Sequence, residues 1–499
     1  MPHPGRPIVL TADRTLTARY SLLFDGMVAA STTTSTPRFL ADFLTPAASP
    51  LSRGLPAAAP LGLRRLEAAL LRSGVPPEEV AVADEEGLEA AIGSETRVVG
   101  ISSGEPAGRG MNSSTMEAIS GGCILPRDRF QRLLHRVRAL VKERAPRARL
   151  VLGGPGAWQL PPAEARALGI HHVVVGYAEA DAPDLFARLR REATDLPVVL
   201  RVSGPPADQI PPLRGPATMG ALELSRGCGL GCSFCTLSRE PMIHLPPSTI
   251  LSDARTNLEG GQTSLSLLSE DFFRYGGPPG RARPAALIEL VRSLRSLPGL
   301  KLLQIDHANL STVAQFTDGE LRALHDLLTG GPRHRYLWVN VGLETASGPL
   351  LRRNGGGAKM GGAPPDDWDR FAALQVGRLL RAGFFPLVSL VLGLPGESPE
   401  DVARTQEWVE RFREARLAVF PMLYAPVNGE PAPRPTPHHW RLIRSCYRLN
   451  FRWIPRLYED NQHGAGVPAA RRLLMSVLGC AQIVQWDLLL RWKQWRAGR

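Results

Sequence analysis

Twice along this chain, short runs of aliphatic and β-branched residues alternate with longer amphipathic stretches, a pattern that restricts the fold to parallel sheets flanked by helices. The first set of runs comprises Ile8 to Thr11, Val80 to Ala83, Val98 to Ser102, Leu150 to Leu152, Val173 to Val175 and Val198 to Leu200. Between them Leu63, Leu66 and Leu70 share one helical face, and Phe130, Leu133, Leu134, Val137 and Val141 another. The second set comprises Ala221 to Leu224, Ser264 to Leu268, Leu302 to Ile305, Leu337 to Val341, Leu387 to Leu392 and Leu417 to Met422. A Pro/Gly-rich passage from Ser203 to Pro216 separates the sets, so domains are expected at 1–202 and 217–430. In such sheets ligands bind beyond the carboxyl ends of the strands, and the loops there carry the functional information.

The loop after the first strand of the second set reads Ser225-Arg226-Gly227-Cys228-Gly229-Leu230-Gly231-Cys232-Ser233-Phe234-Cys235, a C-x3-C-x2-C triad. Three thiolates can hold three irons of a 4Fe-4S cube and leave the fourth open to another ligand. The three glycines let the backbone wrap closely. A structural zinc knuckle needs four ligands, and no second Cys or His pair accompanies the triad. Cys123, Cys446 and Cys480 are scattered and read as ordinary buried thiols.

The triad resembles that of the radical S-adenosylmethionine (radical SAM) superfamily. The resemblance implies an open (β/α)6 partial barrel, short of the eight repeats of a closed one, with SAM on the fourth iron. Three later strand ends resemble the family in the same order. Leu268-Ser269-Glu270-Asp271 follows the second strand, where the family places polar groups against the amino end of SAM. Gly342-Leu343-Glu344-Thr345 follows the fourth and resembles the G-x-E-[ST] segment beside SAM's ribose and methionine. Gly393-Leu394-Pro395-Gly396-Glu397 follows the fifth and resembles the G-x-P-G-E turn near the adenine, which makes Glu344, Gly393 and Pro395 candidate SAM contacts.

The first set has small residues at its strand ends: Ser102-Ser103-Gly104, with Met111 and Asn112 shortly after, then Gly153-Gly154-Pro155, then Gly176-Tyr177-Ala178-Glu179. Glycine and serine there let a large flat ligand approach the backbone. Strand-Gly-Gly-Pro followed by strand-Gly-x-x-Glu is similar to the Rossmann-like cobalamin-binding domain that precedes many radical SAM cores, and implies that these residues hold cobalamin. The D-x-H-x-x-G motif that supplies an axial histidine to cobalt is absent. Arg64 or Arg65 is placed either beneath the corrin or, as an ordinary helix arginine, facing solvent.

Chains with both domains in this order are mostly C-methyltransferases of natural-product pathways, which move a methyl group from SAM via methylcobalamin to carbon; others are cyclases or mutases. This one most resembles the tryptophan 2-C-methyltransferases of thiopeptide biosynthesis, which implies a small-molecule substrate, with C2 of L-tryptophan as candidate. There a barrel carboxylate occupies the fourth iron. Glu270 is the candidate here, with holding SAM or capping a helix as its other roles. Tyr336, His307 and Asp306 lie near barrel strands as candidate bases toward the indole N1 proton. An external electron donor is a further expected partner.

Net charge is +12, but only four residues are lysine and the arginines read as diffuse, so a nucleic-acid partner, or an iron-sulfur module contacting RNA or protein, is the weaker expectation. No uninterrupted apolar run reaches the roughly 18 residues of a membrane helix. The start, Met1-Pro2-His3-Pro4-Gly5-Arg6, lacks signal-peptide layout, and the cysteine usage suits a reducing compartment. A cytoplasmic enzyme without a membrane partner is therefore expected. From 431 to 499, Trp440, Leu442, Ile443, Tyr447, Phe451, Trp453 and Ile454, then Leu473 to Trp495, predict a small helical C-terminal domain.

Overall fold

The computed structural model describes residues 3–20, 22–26, 33–34, 38–48, 51–52, 55–193, 195–331, 336–426 and 432–498. It divides into two compact units rather than three domains: Met1–Ser113, Gly121–Leu222 and Leu245–Gln262 form the first, and Ser114–Ser120, Glu223–His244 and Thr263–Arg499 the second. The boundary expected between 430 and 431 lies outside the described residues.

In the first unit six parallel strands, β1 (Ile8–Ala12), β2 (Val80–Ala83), β3 (Val98–Ser102), β4 (Arg149–Gly153), β5 (His172–Tyr177) and β6 (Val199–Ser203), lie in the order β6-β5-β4-β3-β1-β2. Ile8 sits opposite Val80 on one side and Val98 on the other. Alternate residues of β1 enter two cores, Val9 beside Leu133 and Val137, and Ile8 and Leu10 beside Leu63 and Leu70. Both sheet faces are thus covered by helices, as a parallel sheet requires: α1 (Leu61–Arg72) on one, α2 (Leu125–Arg144) on the other. Neither Arg64 nor Arg65 faces solvent. Arg65, 1% exposed, pairs with Asp253 and donates to the Pro211 carbonyl at 2.7 Å, while Arg64 pairs with Glu67 at 2.9 Å.

In the second unit the division falls at strand β7 (Ala221–Glu223), which heads the order β7-β8-β9 with β8 (Ser264–Leu268) and β9 (Leu302–Ile305). The third barrel strand breaks at Asp306. Its continuation, β10 (His307–Ala308), pairs instead with β11 (Leu337–Glu344), followed by β12 (Phe384–Leu392) and β13 (Ala418–Leu423). One chain segment thereby links two sheets into an open parallel arc of six, a partial barrel of the expected strand count, with helices α3 (Pro284–Arg295), α4 (Asp318–Thr329), α5 (Trp368–Ala382) and α6 (Pro399–Arg411) between strands.

The C-terminal helices α7 (Pro437–Gly464) and α8 (Ala469–Ala497) belong to this second unit. Asn450 of α7 fixes it to β13, accepting from the Val419 N–H and donating to the Val419 carbonyl, both at 2.7 Å. Two expectations change here. Among the described residues α8 is a helix long and apolar enough to cross a membrane by length and composition: single polar residues interrupt its apolar run, yet an 18-residue stretch of it keeps a mean hydropathy of 1.6. The charge is also less diffuse than it reads, because residues 432–499 hold twelve Arg and Lys against three Asp and Glu.

Candidate functional site

The cysteine loop leaves the barrel just past β7, where Leu224 donates its N–H to the Leu268 carbonyl at 2.9 Å. Positive φ values of 72°, 71° and 79° at Gly227, Gly229 and Gly231 coil it. A Cβ on Gly227 would lie 2.4 Å from the Pro241 carbonyl oxygen, so that glycine is obligatory. Backbone bonds close the loop: Cys228 N–H to Glu240 O at 2.9 Å, Gly231 N–H to Ser238 O at 3.0 Å, and Ser233 N–H to Asn354 O at 3.0 Å. Ser238 Oγ donates to the carbonyls of Cys232 and Cys235, and Arg274 to that of Cys228.

Burial pushes all three thiols up, Cys232 to about 11, which disfavours the thiolate form. Among the described residues no three His, Cys, Asp or Glu side chains converge on one point suited to a single ion.

Glu270, Glu344 and Lys359 act electrostatically on the cysteines. Glu270, after β8, makes no side-chain hydrogen bond among the described residues; burial raises its pKa, against the opposing pull of His307, and its charge is felt by Cys228 and Cys235. The next residue, Asp271, is wholly buried and differently used. Its carboxylate accepts from the Asn309 N–H at 3.1 Å and Thr312 Oγ1 at 2.6 Å, and burial lifts its pKa to about 6. Asp271 ties β8 to the third strand. At the Asp306 break, His307 Nδ1 lies 2.8 Å from Asp306 Oδ1, and although burial opposes its charge, Asp306 holds its pKa up at about 9.

The third group was not foreseen. Lys359, from the loop after Gly355-Gly356-Gly357, forms a buried ion pair with Glu344. Burial works against the ammonium, yet Glu344 and the cysteines keep its pKa raised. A Cβ on Gly342 would sit 2.2 Å from Glu344 Oε1 and 2.3 Å from Lys359 Nζ, so the glycine of the G-x-E segment makes room for this pair. Glu344 itself has φ of 63°, a conformation non-glycine residues adopt only when their surroundings enforce it.

Tyr336 lies elsewhere. It precedes β11, whose far end carries Glu344, so the length of the strand, roughly 25 Å, separates them. Its N–H donates to Asp460, its carbonyl accepts from Asn461, and its ring packs on Phe385 and under Arg416. This is a structural position on the amino side of the barrel and corrects its expected role as a base. In the fifth strand's turn the Gly393 N–H donates to Glu397 at 2.7 Å, Glu397 pairs with His439 at 2.6 Å, and the Pro395 carbonyl accepts from Asn354 at 3.1 Å.

In the first unit, the expected small residues do fall at the carboxyl ends of the strands. Ser102 and Gly153 end β3 and β4, Ser103 N–H donates to the Gly153 carbonyl at 3.2 Å, and a Cβ on Gly154 would lie 2.5 Å from Ser102 Oγ. Pro155 continues this turn, Met111 and Asn112 open the helix Met111–Ser120, and Glu179 follows β5. Gly104 and Gly153 have open space where a Cβ would be. The buried Ser103 Oγ, Thr11 Oγ1, Asp13 Oδ2 and Asp84 Oδ2, at or just past the ends of β3, β1 and β2, have no hydrogen-bond partner among the described residues. Orphaned polar atoms beside an open backbone cradle suit a polar-rimmed planar ligand such as cobalamin. A cavity of about 940 Å³ lined by Arg138, Arg149 and His171 opens at the other, amino end of these strands, away from that cradle.

Fold and cysteine loop together define an architecture: an open parallel partial barrel with a cysteine triad after its first strand, carried in one chain with a Rossmann-like unit. No family model matches the chain. Among solved structures it is similar to the radical S-adenosylmethionine methyltransferase TsrM from Kitasatospora setae, solved with cobalamin and a [4Fe-4S] cluster bound, at TM-score 0.52 and 16% identity over 85% of this chain and 77% of that one. The same enzyme with tryptophan and a SAM analogue bound gives TM-score 0.52 over 84% and 75%. Among curated proteins it is similar to ribosomal protein uS12 methylthiotransferase RimO, 26% identical in Citrifermentans bemidjiense over 51% of this chain and 55% of that protein, and 29% identical in Anaeromyxobacter sp. over 44% and 43%. The chain thus spans about half the length of the curated relatives it matches.

Proposed function

We propose that this chain is a cobalamin-dependent radical SAM C-methyltransferase that moves a methyl group from SAM to a carbon of a small molecule, with C2 of L-tryptophan as candidate. One observation carries the reading: the cysteine loop and the open strand-end cradle occur in one chain whose fold matches TsrM over 85% of its length. Cys228, Cys232 and Cys235 would hold the cluster. Ser102, Ser103, Gly104, Gly153 and Gly154 would line the cobalamin. When bound, cobalamin supplies a methyl carrier and the cluster an electron source toward SAM.

The protein's own residues then have separable tasks. Glu270 presents a carboxylate made more basic by burial, suited to an iron corner or to accepting a proton. His307, whose pKa the adjacent Asp306 holds up, is suited to donating a hydrogen bond from its protonated ring. Lys359 balances the negative charge that thiolates and carboxylates bring to one buried region.

A second reading is favoured by the RimO matches, that of a methylthiotransferase, but these span only about half of the chain. The test is anaerobic reconstitution with iron, sulfide and hydroxocobalamin, then methyl-deuterated SAM and tryptophan, with products followed by mass spectrometry. Retained cobalamin and labelled 2-methyltryptophan are expected. Failure to retain cobalamin overturns the assignment. Deoxyadenosine with no new methyl group favours a cyclase or mutase, and a methylthio product the second reading.

A further inference from the structure

Helix α8 is apolar on two opposite sides. Toward α7 it buries Trp486 and Leu490, with the Trp486 ring 5.2 Å from that of Tyr447. On the other side Leu473, Val477, Val484, Leu488 and Trp495, separated by four, seven, four and seven residues, form one stripe along the helix. Each is at least 55% exposed. With Leu474 and Trp492 they make up seven of the nine exposed large hydrophobic residues described, so the apolar surface is concentrated here. From Leu473 to Trp495 the stripe runs roughly 33 Å.

Charge selects what covers it. Arg471 and Arg472 stand at one end of α8 and Arg491, Lys493 and Arg496 at the other; the helix's one acid, Asp487, pairs with Arg491 at 2.7 Å. Residues 432–499, twelve basic against three acidic, account for +9 of the chain's +12. A second copy would set basic ends against basic ends in either orientation, with no acid to receive them. An anionic bilayer complements both features, the acyl boundary taking the stripe and phosphate headgroups the cations. Lys493 and Arg496 lie 5.5 and 5.4 Å from the Trp492 ring, an arrangement of amphipathic groups suited to headgroup depth. The buried contacts with α7 would be lost if the helix crossed the membrane, so it lies on the surface.

We propose that the outer stripe of α8 docks this protein on an anionic membrane surface. Full-length protein is mixed with vesicles of phosphatidylcholine alone, or with added phosphatidylglycerol, and sedimented while tryptophan emission is recorded. Binding to the mixed vesicles only, weakened by salt and accompanied by a blue shift, is expected. Leu488→Glu and Val484→Glu, which change outward-facing side chains, should abolish it with the circular dichroism unchanged, and Arg496→Gln should weaken it on the order of fivefold. Equal binding to both vesicle types, no binding, or binding retained in both glutamate variants overturns the proposal. So does a dimer in sedimentation velocity that Leu488→Glu converts to monomer, which would assign the stripe to a second copy.

Discussion

Replacing Lys359 by Met tests the buried ion pair at the candidate site directly. The side chains of Lys359 and Glu344 are 12% and 9% exposed, so the lost ammonium leaves a carboxylate that water scarcely reaches. Removing one partner of such a pair costs about 3–5 kcal/mol, and the residual exposure argues for the lower end, about 3 kcal/mol. Because the chain folds as two units, a global denaturation curve would blur the effect. Hydrogen exchange read on peptides spanning 337–346 reports the strand that carries Glu344. There Lys359→Met should speed opening on the order of a hundredfold. Adding Glu344→Gln should restore most of the protection, since the orphaned charge is then gone. Unchanged exchange in the single variant, or a double variant no slower than the single, would refute the view that this is a buried and mutually dependent pair.

Two further outcomes follow from the same region. The Asp271 pKa stands above its unfolded value, so the folded state binds the extra proton and stability is lost as pH rises from about 4 through about 6, by about 3 kcal/mol for this group. Thermal melts across that window should show this slope in the wild type and a smaller one in Asp271→Asn. If the proposed reaction holds, Tyr336→Phe should leave methyl transfer unchanged in a product assay, because the residue sits at the amino end of β11, whereas Glu270→Gln should slow it by about a hundredfold or more.

The strands were legible because each is an aliphatic or β-branched run bounded by Gly, Pro or a polar cluster; β2, β3, β8 and β9 begin and end where those runs do. The break at Asp306 was not, since it follows from a change of pairing partner that no local pattern marks. Arg65 read as a solvent-facing residue because its partner, Asp253, lies 188 positions away. Lys359 had a faint signal, being one of four lysines and following three consecutive glycines, but nothing in its spacing from Glu344 announces a pair. Tyr336 was misassigned for a reason the sequence itself contains: a residue just before a barrel strand lies at the end opposite the active loops.

The glycines at the ends of the first unit's strands were treated alike in sequence, and the structure separates them. A Cβ on Gly176 would meet the Val202 carbonyl oxygen at 1.8 Å, with φ at 118°, so this glycine is demanded by the adjacent strand β6. Gly153 has neither constraint: nothing lies within 4 Å of its would-be Cβ. Only the second kind of glycine is evidence for a ligand, because only there does the fold leave space that it does not itself use. Gly176→Ala should therefore destabilise the protein whether or not cobalamin is present, as a fall in melting temperature. Gly153→Ala should melt within about 0.5 kcal/mol of wild type in the apo state, as a change that touches nothing does. If the cradle takes cobalamin, the same variant should bind hydroxocobalamin more weakly, measured by equilibrium dialysis. Undiminished binding by Gly153→Ala would remove the β4 end from the cobalamin site, and a destabilised apo form would show that the space is not open.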